Sequence, residues 1–285
     1  MLVSTCDLCK RSNGVAVPTT WEEMLAAGDT LGAKNISLGV ATNDGNWFQS
    51  MFNQRGGEVF DAEGNFVMGN EENRALAVEV SSYIQRAVAN KTLFVALGDD
   101  MWSGVTIPTA YREGRLAGQV MPDWWASCCL KPGVEDMAGQ WKVALPPVWD
   151  AGGFKTLVWG GTGWAVSSQS PNADLAKEFI AFMYLGKEAQ IAKFEKVNMF
   201  PWMPVAYGDP RIADLADPFF SGQKLGAIYA QIAGDVPVWY QSPDRAAFST
   251  AAGDNLPLLF DGSQSPEVFV DTVTQTVQEA IDFGF

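Results

Sequence analysis

The residue types best suited to chemistry in this sequence are aspartate, tryptophan and glycine. Asp44, Asp99, Asp100 and Asp123 supply carboxylates. Two carboxylates across a bound sugar can hydrolyse a glycoside, one as acid and the other as base or nucleophile. Residues 159–164 read Trp-Gly-Gly-Thr-Gly-Trp and lead into Ala165 and Val166. Indole offers a wide apolar face with one polar handle. Glycine lets the backbone take unusual dihedrals and lets a ligand come close. Together they form a surface for something flat, such as a sugar ring. The same run would also make a β-bulge at a tightly packed strand end, and at this point both readings stand.

Composition removes other chemistry. The 285 residues hold 11 Trp, no His and a formal net charge of −14. Without histidine there is no Ser-His-Asp or Cys-His nucleophile and no His-ligated metal. The acidic balance argues against nucleic acid and against an anionic membrane surface. It suits a neutral or cationic polar ligand. The cysteines are Cys6, Cys9, Cys128 and Cys129. A Cys-x-x-Cys beside a vicinal pair is a poor zinc framework, so these are expected to be unpaired thiols. No metal and no cofactor is expected. The start, Met-Leu-Val-Ser-Thr-Cys-Asp, has no basic and apolar leader pattern and does not read as a signal peptide.

These residues need elements to position them. Residues 4–12 read as a short helix. Thr20 and Glu23 have capping-box spacing and open a helix over 21–31. Ile36, Leu38 and Val40 alternate as in a half-buried strand. A polar turn at 43–46 precedes a helix with Trp47, Met51 and Phe52 that stops at Gly56-Gly57. Residues 58–68 read as a hairpin, and 71–90 as a helix with Leu76, Val80, Ile84 and Val88 inward. Strands are expected at 116–121, ending in Pro-Asp-Trp-Trp, at 141–145 and at 164–166. Helices follow after Ser170-Pro171 (Leu175, Phe179, Phe182 and Met183 as its stripe), at 188–197 and after Ser265-Pro266, the last with Val270, Val273, Val277 and Ile281 inward. The mixture indicates an α/β layer structure.

The order of several pieces resembles a known family. They are Pro18-Thr-Thr-Trp-Glu-Glu, the helix ending in Gly-Gly with its hairpin, Tyr111-Arg-Glu-Gly-Arg-Leu-Ala, Asp123-Trp-Trp, Trp159-Gly-Gly-Thr-Gly-Trp-Ala-Val-Ser and Ser170-Pro-Asn-Ala-Asp-Leu-Ala-Lys-Glu-Phe. From about residue 5 to 285 the chain looks like an extracellular solute-binding protein of an ABC importer, of the maltodextrin and sugar-binding type. The resemblance implies a type II periplasmic-binding-protein-like α/β fold, in which two lobes close on a ligand. It places 5–156 and 205–285 in the C-terminal lobe and 157–204 in a return segment of the N-terminal lobe. Most of that first lobe is then missing, and apolar surface on the return segment is expected to be exposed. The implied partners are a carbohydrate and membrane permease subunits. The protein is expected to be a monomer, periplasmic or extracellular, and membrane-associated in a full-length parent.

By motif position, Trp124 matches an aromatic that stacks on a sugar ring, and Asp123 a neighbouring polar contact. Strand alternation sends Trp124 and Trp125 to opposite sides, one for ligand and one for core. Asp44, Asn46 and Trp47 fall where the family places cleft residues, although an N-cap turn with a buried Trp47 would look the same. Gly160 and Gly161 bring main-chain amides near the ligand, and Trp159 walls the cleft. Trp239 and Phe248, with Asp244 and Arg245 between them, match a late aromatic that closes the site. Trp21 and Trp202 are assigned to the core. Two other outcomes stay open: a carbohydrate-active hydrolase using the aspartates named above, and a truncated remnant without function.

Overall fold

A computed structural model describes residues 14–150 and 152–284, together with the backbone of Leu2–Thr5. Residues 2–5 form strand β1 (Leu2–Thr5), so the helix expected over 4–12 does not begin there; its remainder, with Cys6 and Cys9, lies outside the described residues. Helix α1 (Trp21–Gly32) starts at Thr20, whose hydroxyl accepts from the Glu23 amide at 3.1 Å. The Glu23 carboxylate reaches back to the Thr19 amide at 2.7 Å, one residue before the cap, so the box closes a residue early. Strand β2 (Gly39–Ala41) then leads to α2 (Gly45–Arg55). Gly56 ends α2 at φ 102°, a left-handed angle that a side chain would resist. The expected hairpin over 58–68 is one antiparallel bridge, Phe60 to Phe66, around a turn in which the Asp61 carboxylate accepts from the Glu63 and Asn65 amides.

Asn70 caps α3 (Glu71–Ala89), which passes into β3 (Leu93–Val95). Two short helices, α4 (Asp99–Trp102) and α5 (Thr106–Arg112), precede β4 (Gly118–Val120). A π-helical turn at Ala126–Leu130 runs into α6 (Lys131–Gly133), and β5 is Trp141–Ala144. Then come α7 (Ala173–Leu185), α8 (Lys187–Val197) and α9 (Pro210–Ala213). They are followed by β6 (Ala216–Asp217), β7 (Gln223–Lys224), α10 (Leu225–Ala230), α11 (Arg245–Phe260) and α12 (Pro266–Phe283).

Strands β2 and β3 pair in parallel, Val40 opposite Phe94. A parallel bridge between Ser37 and Leu116 carries the pairing toward β4. There β1 lies antiparallel between β4 and β5, with Val3 opposite both Gln119 and Val143. Two apolar cores flank these strands. One joins α1, α2, α3, α11 and α12 around Phe48, Phe52, Tyr83 and Phe269; the other gathers Tyr111, Trp141, Phe194 and Phe220. Each buried phenylalanine among them stabilises the fold by roughly 1.5–3 kcal/mol. Helix α12 shows why the sequence pattern works: Ser265 caps it, and Phe269, Val270, Val273 and Val277 all point into the first core.

The segment 157–168 is not a strand. Trp164 is 57% exposed, and residues 164–166 form no ladder among the described residues. On α7, Leu175, Phe179, Phe182 and Leu185 stand 61–71% exposed. A strand needs a partner backbone and an apolar stripe needs a facing layer; α8 packs beside α7 but leaves that stripe open. Trp202, expected in the core, is 60% exposed, with its indole N–H on the Tyr184 carbonyl at 2.9 Å. Among the described residues no helix is long and apolar enough to cross a membrane.

Candidate functional site

Helix α2 fixes one side of the site. Asp44 precedes it in extended conformation, and its Oδ1 accepts from the Asn46 amide at 2.8 Å and from Asn46 Nδ2 at 2.9 Å. Its other oxygen accepts from Trp159 Nε1 at 3.3 Å, across 115 residues of chain. Asn46 Oδ1 accepts from Arg245 Nη2 at 2.6 Å, and the Arg245 guanidinium lies 5.3 Å from the centre of the Trp239 ring. Asp44, Asn46, Trp159 and Trp239 are therefore brought together, with Arg245 between them.

Trp47 is nearly covered, set edge-on against Phe260, yet it lines a small recess with Trp21, Met24, Met121, Pro122 and Trp159. Phe248 is fully buried in the first core, so its ring faces other side chains rather than a ligand. Gly160 has φ 95°, which explains glycine there. Gly160 and Gly161 are exposed, and a Cβ at either would meet no atom within 4 Å, so their backbone is open to approach.

A second group of indoles lies around α4. Trp102 is nearly parallel to Trp124, at 17° with ring centres 6.4 Å apart. It meets Trp125 edge-on at 5.5 Å and Trp159 at 6.3 Å. Trp102 thereby joins Trp124 to the Trp159–Gly161 stretch, and it remains 48% exposed. The sequence reading missed it. Its one signal was an indole in Asp99-Asp100-Met101-Trp102, a single helical turn too short for periodicity to show. Trp124 and Trp125 do divide into one partly exposed and one buried ring, but they sit in a turn entering the π-helical segment rather than on a strand.

The carboxylates are largely committed. Asp123 Oδ2 accepts from the Phe200 amide, which ties the turn after β4 to the irregular segment around residue 200, and burial pushes its pKa upward. Asp100 Oδ1 accepts from the Thr106 hydroxyl at 2.9 Å. Both oxygens of Asp44 hold N–H donors. Cys128 and Cys129 are not free thiols: they are bonded to each other. Adjacency in sequence hides such a pairing, because most disulfides close longer loops. The bridge lines a second recess with Trp102, Tyr111, Trp125 and Pro132.

Residues 4–219 match the family of bacterial extracellular solute-binding proteins. The chain belongs to that family. This solute-binding protein is 27% identical over 203 residues to an arabinooligosaccharide-binding protein of Halalkalibacterium halodurans, covering 70% of the chain and 43% of that relative. It is 25% identical over 268 residues to an arabinooligosaccharide-binding protein of Bacillus subtilis, covering 92% of the chain and 58% of that relative. The chain thus spans about half the length of these curated relatives. Among solved structures, the galacto-N-biose/lacto-N-biose I-binding protein of Bifidobacterium longum, in complex with lacto-N-biose, superposes with a TM-score of 0.79 at 17% identity. That match covers all of this chain and 69% of the other. The fold of this solute-binding protein is the type II periplasmic-binding-protein fold, as the sequence order implied.

Proposed function

We propose that this solute-binding protein captures a carbohydrate, of oligosaccharide class, for uptake by an ABC importer, and releases it unchanged. The observation that carries this reading is the group of Trp102, Trp124 and Trp159 beside an open Gly160–Gly161 backbone. Sugar C–H faces lie on indole planes, while hydroxyls need polar partners placed at the edge. The open main chain at Gly160 and Gly161 supplies such partners. The names of the curated relatives and the lacto-N-biose complex of the structural neighbour support the same ligand class. Three of the four aspartates suited to hydrolysis accept hydrogen bonds from fixed donors, which favours capture over bond cleavage.

In this reading residues 5–156 and 205–285 form one lobe, and 157–204 belongs to the opposite lobe. The exposed stripe of α7 fits that assignment. The partners are a saccharide and membrane permease subunits, and the site of action lies outside the cytoplasmic membrane. Calorimetric titration with arabinotriose and lacto-N-biose tests it, alongside a reducing-sugar assay on the same mixtures. Saturable heat without new reducing ends is expected. Product formation, or no binding to any oligosaccharide, would overturn the reading.

A further inference from the structure

The cradle has two walls on irregular chain, Trp159 in the 157–163 segment and Trp239 in the 236–241 segment. Neither segment is held by helix or ladder hydrogen bonds, so something else must fix the rings. The polar groups at the starts of α2 and α11 form a continuous chain. Arg245 Nη2 donates to Asn46 Oδ1 at 2.6 Å, Asn46 Nδ2 donates to Asp44 Oδ1 at 2.9 Å, and Trp159 Nε1 donates to Asp44 Oδ2 at 3.3 Å. The same guanidinium lies over Trp239 at 5.3 Å, within cation–π range.

Arg245 is unusual in this molecule. Every other described arginine pairs with a carboxylate. Arg245 instead meets a neutral amide and an indole face, and its Nε is buried with no partner among the described residues. A planar guanidinium can hold an amide oxygen and stack on a ring at once; an ammonium cannot reproduce that geometry. A guanidinium that pairs directly with no carboxylate among the described residues, and that links Trp239 to the Asn46–Asp44–Trp159 chain, has the form of a clamp.

We propose that Arg245 is the positioning residue of the site: it sets Trp239 directly and Trp159 through Asn46 and Asp44. This rests on the carbohydrate reading only for the consequence in binding, since the clamp is made of this chain's own residues. Asp44 and Asn46 then act chiefly by holding a wall, which refines their expected role as direct contacts. Because the relay has two arms, the arms separate by substitution. Removing the Asn46 side chain cuts the link from Arg245 to Asp44 and Trp159, while the residue-46 amide still donates to Asp44 Oδ1 and the guanidinium keeps its place over Trp239.

The test is fluorine NMR on the full chain labelled with fluorotryptophan, with resonances assigned through Trp159→Phe and Trp239→Phe, and with arabinotriose as the binding probe. In ligand-free protein, Arg245→Ala is expected to shift both resonances. Asn46→Ala is expected to shift that of Trp159 alone. Arg245→Lys, which keeps the charge without the fork, is expected to restore Trp239 more fully than Trp159 and covers the case in which the alanine variant fails to fold. Arabinotriose affinity should fall about tenfold in Arg245→Ala, the equivalent of one good hydrogen-bonded contact. If Arg245→Ala, or Arg245→Lys should the alanine variant not fold, leaves the ligand-free Trp159 resonance in place, the proposal is overturned, whatever happens at Trp239. If wild-type protein binds no saccharide, the functional reading falls, and the ligand-free resonances still decide the role of Arg245.

Discussion

Trp102 is the residue whose loss should separate a sugar cradle from a merely crowded surface. Its ring is 48% exposed and touches Trp124, Trp125 and Trp159. A tryptophan carries roughly 200 Å² of side-chain surface, so about 100 Å² is covered here. At about 25 cal/mol per Å² the covered half stabilises by about 2.5 kcal/mol, and a realistic unfolded chain brings this to about 2 kcal/mol. For a chain of this size Trp102→Ala should lower Tm by about 4 °C. The uncovered half is the part available to a ligand. Losing an aromatic anchor of this kind costs about 2 kcal/mol of binding, a loss of roughly thirtyfold. Calorimetry with arabinotriose and thermal denaturation read the two effects on one preparation, with Trp102→Phe as the control that keeps an aromatic plane. Affinity within threefold of wild type in Trp102→Ala, with the expected fall in Tm, would refute the idea that this indole forms part of the cradle.

Two further substitutions test the buried side of the site. Asp123 has its pKa raised by burial, so folding favours its protonated form. That contribution is complete below the ordinary carboxylate range and is lost as pH rises through the raised value. Asp123→Asn keeps an oxygen for the Phe200 amide, so wild-type Tm should gain on that of the variant as pH falls from neutral toward 4; a Tm difference independent of pH would contradict this. Phe248→Leu should cost about 1 kcal/mol of stability, seen in denaturant unfolding, while arabinotriose affinity in the folded protein stays within about twofold, because the ring lies wholly in the core.

The parts of the fold that were legible in sequence are those decided by short-range chemistry. Thr20, Asp44, Asn70 and Ser265 each accept from an amide within the next three residues; the helices after Thr20, Asn70 and Ser265 begin where the sequence places them, whereas α2 starts at Gly45, inside the expected turn, because Asp44 caps it. Trp164–Val166 misled because its pattern is that of a strand, and a strand is decided by its neighbour. Strand β3 and helix α4 were missed because three or four residues carry no measurable period. At the site, Trp124 and Trp159 stood out by composition, but the contact that joins them runs through Trp102. The Arg245–Asn46 bond spans 199 residues, and no local pattern encodes it.

The Cys128–Cys129 bridge bears on how the molecule is prepared. It forms part of the floor under Trp102 and Trp125, and the turn that carries it follows directly on Trp124. Material produced in a thiol-rich cytosol, or stored with dithiothreitol, holds two sulfhydryls where oxidised material holds one bridge. These are two chemical species with one sequence. Saccharide titrations made on them describe different floors, and the buffer's redox state belongs among the stated conditions of each titration.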